Sequence, residues 1–114
     1  MKRIVEISDQ VLEFLRSLAA EPRRLLRSAL RDLEQERGDL KALEGPLSRF
    51  WRLRVGGYRV IFAYTHQGTR IRCVFAERRP MVYALAEEAL RNILLARERG
   101  KEPGKVPYRR THRK

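Results

Sequence analysis

Arg52, Arg54 and Arg59 sit in the run F-W-R-L-R-V-G-G-Y-R-V-I-F, where residue types suited to phosphate chemistry are closely spaced. Gly56-Gly57 is a two-residue hairpin signal between two runs of strand-forming residues, so the three guanidinium groups fall on adjacent strands. Arg52 and Arg54 are two apart and share one sheet face. Arg59 joins them or faces away according to the register across the turn, which residue order alone leaves open. Arg78 and Arg79 follow the next strand, and Tyr83 comes one helical turn after Arg79. A guanidinium donates two parallel hydrogen bonds to a phosphate, and a tyrosine beside it can stack on a base. Alternation by itself places arginine on a solvated outer face. It does not account for the absence of any Asp or Glu between Ser48 and Ala76. Like charges gathered there call for an anion. Arg49, Arg72 and Arg78 extend the same basic run as further RNA contacts.

Other reactive side chains suggest less. Cys73 lies in the middle of an apolar strand and reads as a small core residue. His66 precedes Gln67-Gly68 in a turn, and His112 is far from it, so no histidine metal site is expected. One cysteine excludes an internal disulfide framework and any multi-cysteine zinc or iron–sulfur site. Neither a metal nor a small-molecule cofactor is expected.

The whole chain repeats the charge imbalance. Its 114 residues carry 26 Lys and Arg against 14 Asp and Glu, a net charge of +12. Such an excess steers the protein towards polyanions. An apolar fraction of 43% supports a real core in one compact domain. No stretch approaches the roughly 18 apolar residues of a membrane span, and no signal-peptide pattern opens the sequence. A soluble, cytoplasmic protein without membrane contact is expected.

The elements that must carry the arginines follow from periodicity. Arg3 to Ser8 reads as a short strand. Ser8 is a helix N-cap, and Val11, Phe14, Leu15 and Leu18 form one helical face. Glu21-Pro22 breaks the helix and Pro22 opens a second, striped by Leu26, Ala29, Leu30 and Leu33 and stopped at Gly38. Residues 39–48 read as a connecting loop. Phe50 to Val55, Tyr58 to Thr65 and Thr69 to Ala76 then form a three-stranded meander. Within it Tyr58, Val60, Phe62 and Tyr64 face one way, and Arg59, Ile61 and Ala63 the other. Trp51 alternates away from Arg52, to pack on the helices or to help anchor a partner. Pro80 allows a final helix with Val82, Leu85, Ala86, Ala89, Leu90, Ile93 and Leu94 as its stripe. The expected fold is α+β in the order β-α-α-β-β-β-α, with an antiparallel sheet packed on a helical hairpin. One domain covers 1–100. Residues 101–114 form a basic tail, six Lys or Arg against Glu102, that reads as flexible.

The run L-E-G-P-L-S-R-F-W-R-L-R-V-G-G-Y-R-V-I-F-A-Y, followed by E-R-R-P-M-V-Y, resembles the RelE/ParE toxin superfamily of type II toxin–antitoxin modules. The likeness extends from Arg3 to about Leu95, and the element order agrees. The RelE branch implies ribosome-dependent mRNA cleavage, with the RNA 2′-hydroxyl attacking the adjacent phosphate and no metal required. Carried over by position, Arg52 and Arg54 stand where that branch often has lysines that orient the phosphate. Arg59 matches its strand arginine, Arg79 the arginine that assists the leaving group, and Tyr83 the tyrosine that stacks on a base. Arginine, with a pKa above about 12, is a poor base compared with lysine, and Glu44 and Glu77 are the nearby carboxylates. The superfamily also implies an antitoxin laid across the toxin, an acidic one neutralising the arginine face. Besides mRNA and the ribosome as partners, two other readings stand: a ParE-type inhibitor of DNA gyrase, and a non-catalytic basic RNA-binding protein.

Overall fold

The structure, a computed structural model, describes residues 2–78, Asn92 and Arg109–Arg110. The described chain begins with strand β1 (Ile4–Ile7), then helices α1 (Asp9–Ser17) and α2 (Ala20–Leu33). Strand β2 (Asp39–Ala42) and a 3-10 turn (Gly45–Leu47) lead to β3 (Trp51–Val55), β4 (Tyr58–Thr65) and β5 (Arg70–Arg78). A two-residue strand β6 (Arg109–Arg110) completes a sheet ordered β2-β3-β4-β5-β1-β6. Helices on one face of a single sheet give the α+β class expected from residue order.

Local chemistry sets the helix ends. The Ser8 hydroxyl accepts from the Val11 N–H at 3.3 Å and donates to the Val74 carbonyl at 3.2 Å, so one cap fixes α1 and ties it to β5. The break between the helices falls at Leu18 and Ala19, both extended. Pro22 has no N–H to offer the Leu18 carbonyl four residues back, and the Arg23 guanidinium donates to that carbonyl instead at 2.9 Å. α2 ends at Leu33, short of Gly38, because Glu36 turns into the left-handed region (φ 58°). Gly38 is needed just beyond: at φ 129° a Cβ there would lie 3.0 Å from the Leu53 side chain.

Two features differ from the sequence expectation. β1 joins the sheet parallel to β5, pairing Val5 with Ile71 and Ile7 with Cys73, where an antiparallel sheet was expected. The chain between them passes through both helices and the β2–β4 segment, which supplies the long connection that parallel strands need. No hairpin signal flanks β1, so its direction is not written locally. Residues 39–48, expected to be a loop, contain β2, antiparallel to β3. It is a short, charged edge strand whose residues are largely exposed, so no buried apolar run marks it. The final helix expected from Pro80 lies outside the described residues apart from Asn92, which is helical. Of the basic tail, Arg109 and Arg110 are described, paired antiparallel with Ile7 and Glu6.

The sheet separates two cores. Leu15, Leu26, Leu30 and Leu33 of the helices pack against Val5, Leu53, Val60, Phe62 and Ile71 of its inner face. Trp51 belongs to this side, with its ring stacked on Phe62 at 6.5 Å and edge-on to Tyr64 at 5.9 Å. A bulge in β5 sets Ile61 opposite Phe75 but Phe62 opposite Cys73, which leaves Val74 unpaired. Val74 and Phe75 both turn outward as a result. They meet Leu47, Phe50 and Ile61 in a smaller outer core.

Candidate nucleic-acid interface

The register left open by residue order is settled by the β3–β4 pairing. Arg54 lies directly opposite Arg59, and Arg52 opposite Ile61. Directly paired residues share a face, so all three arginines are on the outer side of the sheet. At the hairpin end the pairing continues in both directions, Asp39 to Arg54 and Arg59 to Glu77. One row across four strands therefore reads acid, arginine, arginine, acid.

The three arginines do different work. Arg54 is 55% exposed and its Nε lies 3.9 Å from the Asp39 carboxylate. The Arg52 side chain is 12% exposed, with Nη1 3.6 Å from the same carboxylate. Arg59 is 2% exposed, and its Nη1 donates to the carbonyls of Gly56 (3.0 Å) and Tyr58 (2.9 Å). Its guanidinium braces the hairpin, where Gly56 takes the left-handed conformation (φ 56°). Arg59 thus adds fixed positive charge beneath the surface, and Arg54 is the group open to a ligand.

The other end of the outer face is also basic. Arg72, half-buried, lies opposite Ala63, and Arg70 forms a 3.1 Å ion pair with Glu6. Arg49, Phe50, Ala63, Tyr64, Thr65, Arg72 and Val74 line a hollow of about 220 Å³. Arg78 is not brought to this side. It pairs with Tyr58, whose ring packs towards the helices, and stands exposed at the end of β5. Arg79 and Tyr83 lie outside the described residues.

Two features escaped sequence reasoning. Asp39 approaches Arg52 and Arg54 only because β2 forms; the alternation of Asp39 and Lys41 with Leu40 and Ala42 was the available signal. The second is on α2, where Arg23, Arg24, Arg27 and Arg31 line an open depression beside Ala20 and Ser28. Their near-helical spacing was legible in the sequence. Glu44 is exposed ahead of the 3-10 turn, and Glu77 accepts from the Arg78 N–H at 3.1 Å.

The remaining titratable groups are structural. Burial, then a 2.6 Å hydrogen bond donated to Glu36, pushes the Tyr64 hydroxyl up to about 12. Arg3 joins this cluster through a 3.1 Å ion pair with Glu36 and a 2.7 Å bond to the Gly68 carbonyl. Burial raises the Cys73 thiol, which keeps it protonated and unreactive. Among the described residues no three His, Cys, Asp or Glu gather as a metal site, and no helix is long and apolar enough to cross a membrane.

A mixed sheet with two helices on one face and a basic hairpin on the other defines a class of small α+β proteins. Among solved structures, a chain of the RelE–RelB complex of Pyrococcus horikoshii is 29% identical, with a TM-score of 0.53 over 69% of this chain and 97% of that one. A chain of the RelBE2 toxin–antitoxin complex of Mycobacterium tuberculosis matches with a TM-score of 0.60 at 21% identity, over 69% of this chain and 100% of that one. The isolated RelE toxin of E. coli matches with a TM-score of 0.55 at 18% identity, over 77% and 98%. No family model matches the sequence, and no curated protein does. The fold is that of the RelE/ParE toxin superfamily.

Proposed function

We propose that this chain is the toxin of a type II toxin–antitoxin module and acts as a ribosome-dependent mRNA endoribonuclease. The observation that carries this reading is the convergence of Arg52 and Arg54 on the outer face, over a buried Arg59, in a RelE-type fold. In the proposed reaction the RNA 2′-oxygen bonds to the adjacent phosphorus while the bond to the 5′-oxygen breaks. Arg54 and Arg52 neutralise the charge that grows on the non-bridging oxygens, the kind of preorganised electrostatics that dominates such catalysis. Arg59 holds the hairpin that sets their spacing. Arg79 assists the leaving oxygen, Tyr83 stacks on a base, and Arg49 and Arg72 hold the flanking strand. Holding nucleophile and phosphate in line supplies much of the acceleration even where the base is weak. The partner is a cognate antitoxin, as in the RelB complexes of the similar structures.

Primer extension on translated mRNA after induction tests the reading. New 5′ ends are expected, reduced by Arg54→Ala and by Tyr83→Ala, and absent from a purified mixture lacking ribosomes. Growth arrest with intact mRNA and accumulated cleaved DNA complexes would replace this mechanism by the gyrase-directed one. Normal growth with salt-sensitive RNA binding would leave only a binding protein.

A further inference from the structure

We propose that the arginine face of α2 is a docking surface for the backbone of base-paired RNA, separate from the strand site on the sheet. The inference rests on the RNA reading above for the chemistry of its partner. Arg23, Arg24, Arg27 and Arg31 line an open depression with Ala20 and Ser28. At about 100° per residue the four arginines fall within an arc of about 100°, and Arg23 to Arg31 spans about 12 Å of the helix axis. The acids of the helix, Glu21 and Asp32, fall outside that arc. Glu34, just beyond the helix end, is buried, with Lys2 3.7 Å away. Arg27 and Arg31 are exposed and form no ion pair among the described residues. Arg24 pairs with Glu21 at 3.1 Å, but both side chains are largely exposed, so solvent screens the pair and a phosphate can replace it. Arg23 is tied to the Leu18 carbonyl, which orients its charge without cancelling it. Arginines three and four apart on a helix repel one another. The empty face therefore costs the helix stability that an anion restores.

The rest of the face selects the ligand. A protein partner needs an apolar patch at the centre of its interface. The large apolar side chain that α2 exposes, Leu25, lies about 100° round the helix from Arg24. A single strand needs aromatic platforms for its bases, and α2 has no aromatic residue. A duplex stacks its bases inside and presents phosphates. RNA adds 2′-hydroxyls in a wide, shallow minor groove, where the Ser28 hydroxyl can meet them. α2 packs on the inner face of the sheet, and Arg52 and Arg54 stand on the outer one. Both sites can therefore be filled at once, a cleavable strand on one side and structured RNA on the other.

Fluorescence anisotropy with the full chain tests this, using a short RNA duplex, a DNA duplex of the same sequence and a short single-stranded RNA. Arg27→Ala and Arg31→Ala are each expected to weaken duplex RNA binding about fivefold and to lower the slope of log K against log salt by about 1. Neither should change single-strand binding, and the RNA duplex should bind about threefold more tightly than the DNA duplex. Both positions are exposed, so thermal melts of the variants should show no loss of stability. Arg16→Ala makes the same charge change on α1 and should leave duplex binding nearly unchanged. If it matches the α2 variants, the effect is one of net charge and the proposal is overturned. A duplex affinity that Arg27→Ala and Arg31→Ala leave intact overturns it too, while single-strand binding lost in Arg54→Ala would keep the outer-face reading standing. Duplex binding at α2 without any single-strand binding would sink the outer-face reading and support this surface. A DNA duplex bound as tightly as the RNA one would overturn the commitment to RNA. Tighter binding of an acidic helical peptide at the same arginines would assign the face to a protein partner instead.

Discussion

Asp39 holds the two arginines that the proposed mechanism needs, so a phosphate must compete with it. Its carboxylate lies 3.6 Å from Arg52 Nη1 and 3.9 Å from Arg54 Nε. Two unit charges about 4 Å apart interact by about 1 kcal/mol in water and about 4 kcal/mol at an effective dielectric near 20. Asp39 is 54% exposed, so solvent screens it and the lower figure applies. Asp39→Asn removes the competing charge and is expected to tighten RNA binding by about 1 kcal/mol, or about fivefold in Kd. Freeing one more cation should also steepen the slope of log K against log salt by about 0.7, the single-strand value per phosphate neutralised. Anisotropy titrations of a short single-stranded RNA across a salt series measure both. Glu13→Gln on α1 makes the same change in net charge away from the outer face and should leave affinity nearly unchanged. An Asp39→Asn protein that binds RNA no more tightly than wild type, or one matched by Glu13→Gln, would refute the idea that the carboxylate occupies the phosphate site.

Arg59→Ala should cost about 3 kcal/mol of stability, because it removes a buried charged donor from two hairpin carbonyls. Arg54→Ala should cost under about 1 kcal/mol yet weaken RNA binding, and urea unfolding beside anisotropy separates the two. Tyr64 titrates near 10.0 when unfolded and near 12 when folded, so only the unfolded chain loses the proton first as pH rises. Its contribution to stability is constant below pH 10 and falls between pH 10 and about 12; a Tyr64→Phe protein should lose that part of the pH dependence in thermal melts. Cys73, wholly buried, should resist a thiol-labelling reagent in the native protein and react fully in denaturant. Rapid labelling of the folded chain would contradict its place in the core.

Much of this molecule is written in local pattern. The 3.6-residue stripes of α1 and α2, the Ser8 cap and the Gly56-Gly57 hairpin all depend on neighbours in sequence, and they form where residue types indicate. What depends on distant pairing is less legible. β1 runs parallel to β5 because of a connection through most of the fold. β2 forms because β3 offers it a free edge. The bulge at Val74 turns an extra residue of β5 outward with no glycine to announce it. The candidate site divides the same way: Arg52 and Arg54 share a face by spacing alone, but the burial of Arg59 and the arrival of Asp39 are products of register.

That division bears on how the site would work. With Asp39 and Glu77 at its ends, the row across the hairpin carries no net charge, despite an overall charge of +12. A strand arriving there exchanges one anion for another at Arg54, so the gain from each phosphate contact is partly offset by the carboxylate it displaces. Affinity for free single-stranded RNA should then be modest and sensitive to salt. A partner that holds the strand in place would supply what the row does not, since a tethered phosphate meets Arg54 at a high effective concentration. A site with this balance is better suited to RNA already positioned on a larger assembly than to RNA captured from solution, and that physical preference supports ribosome dependence independently of the fold.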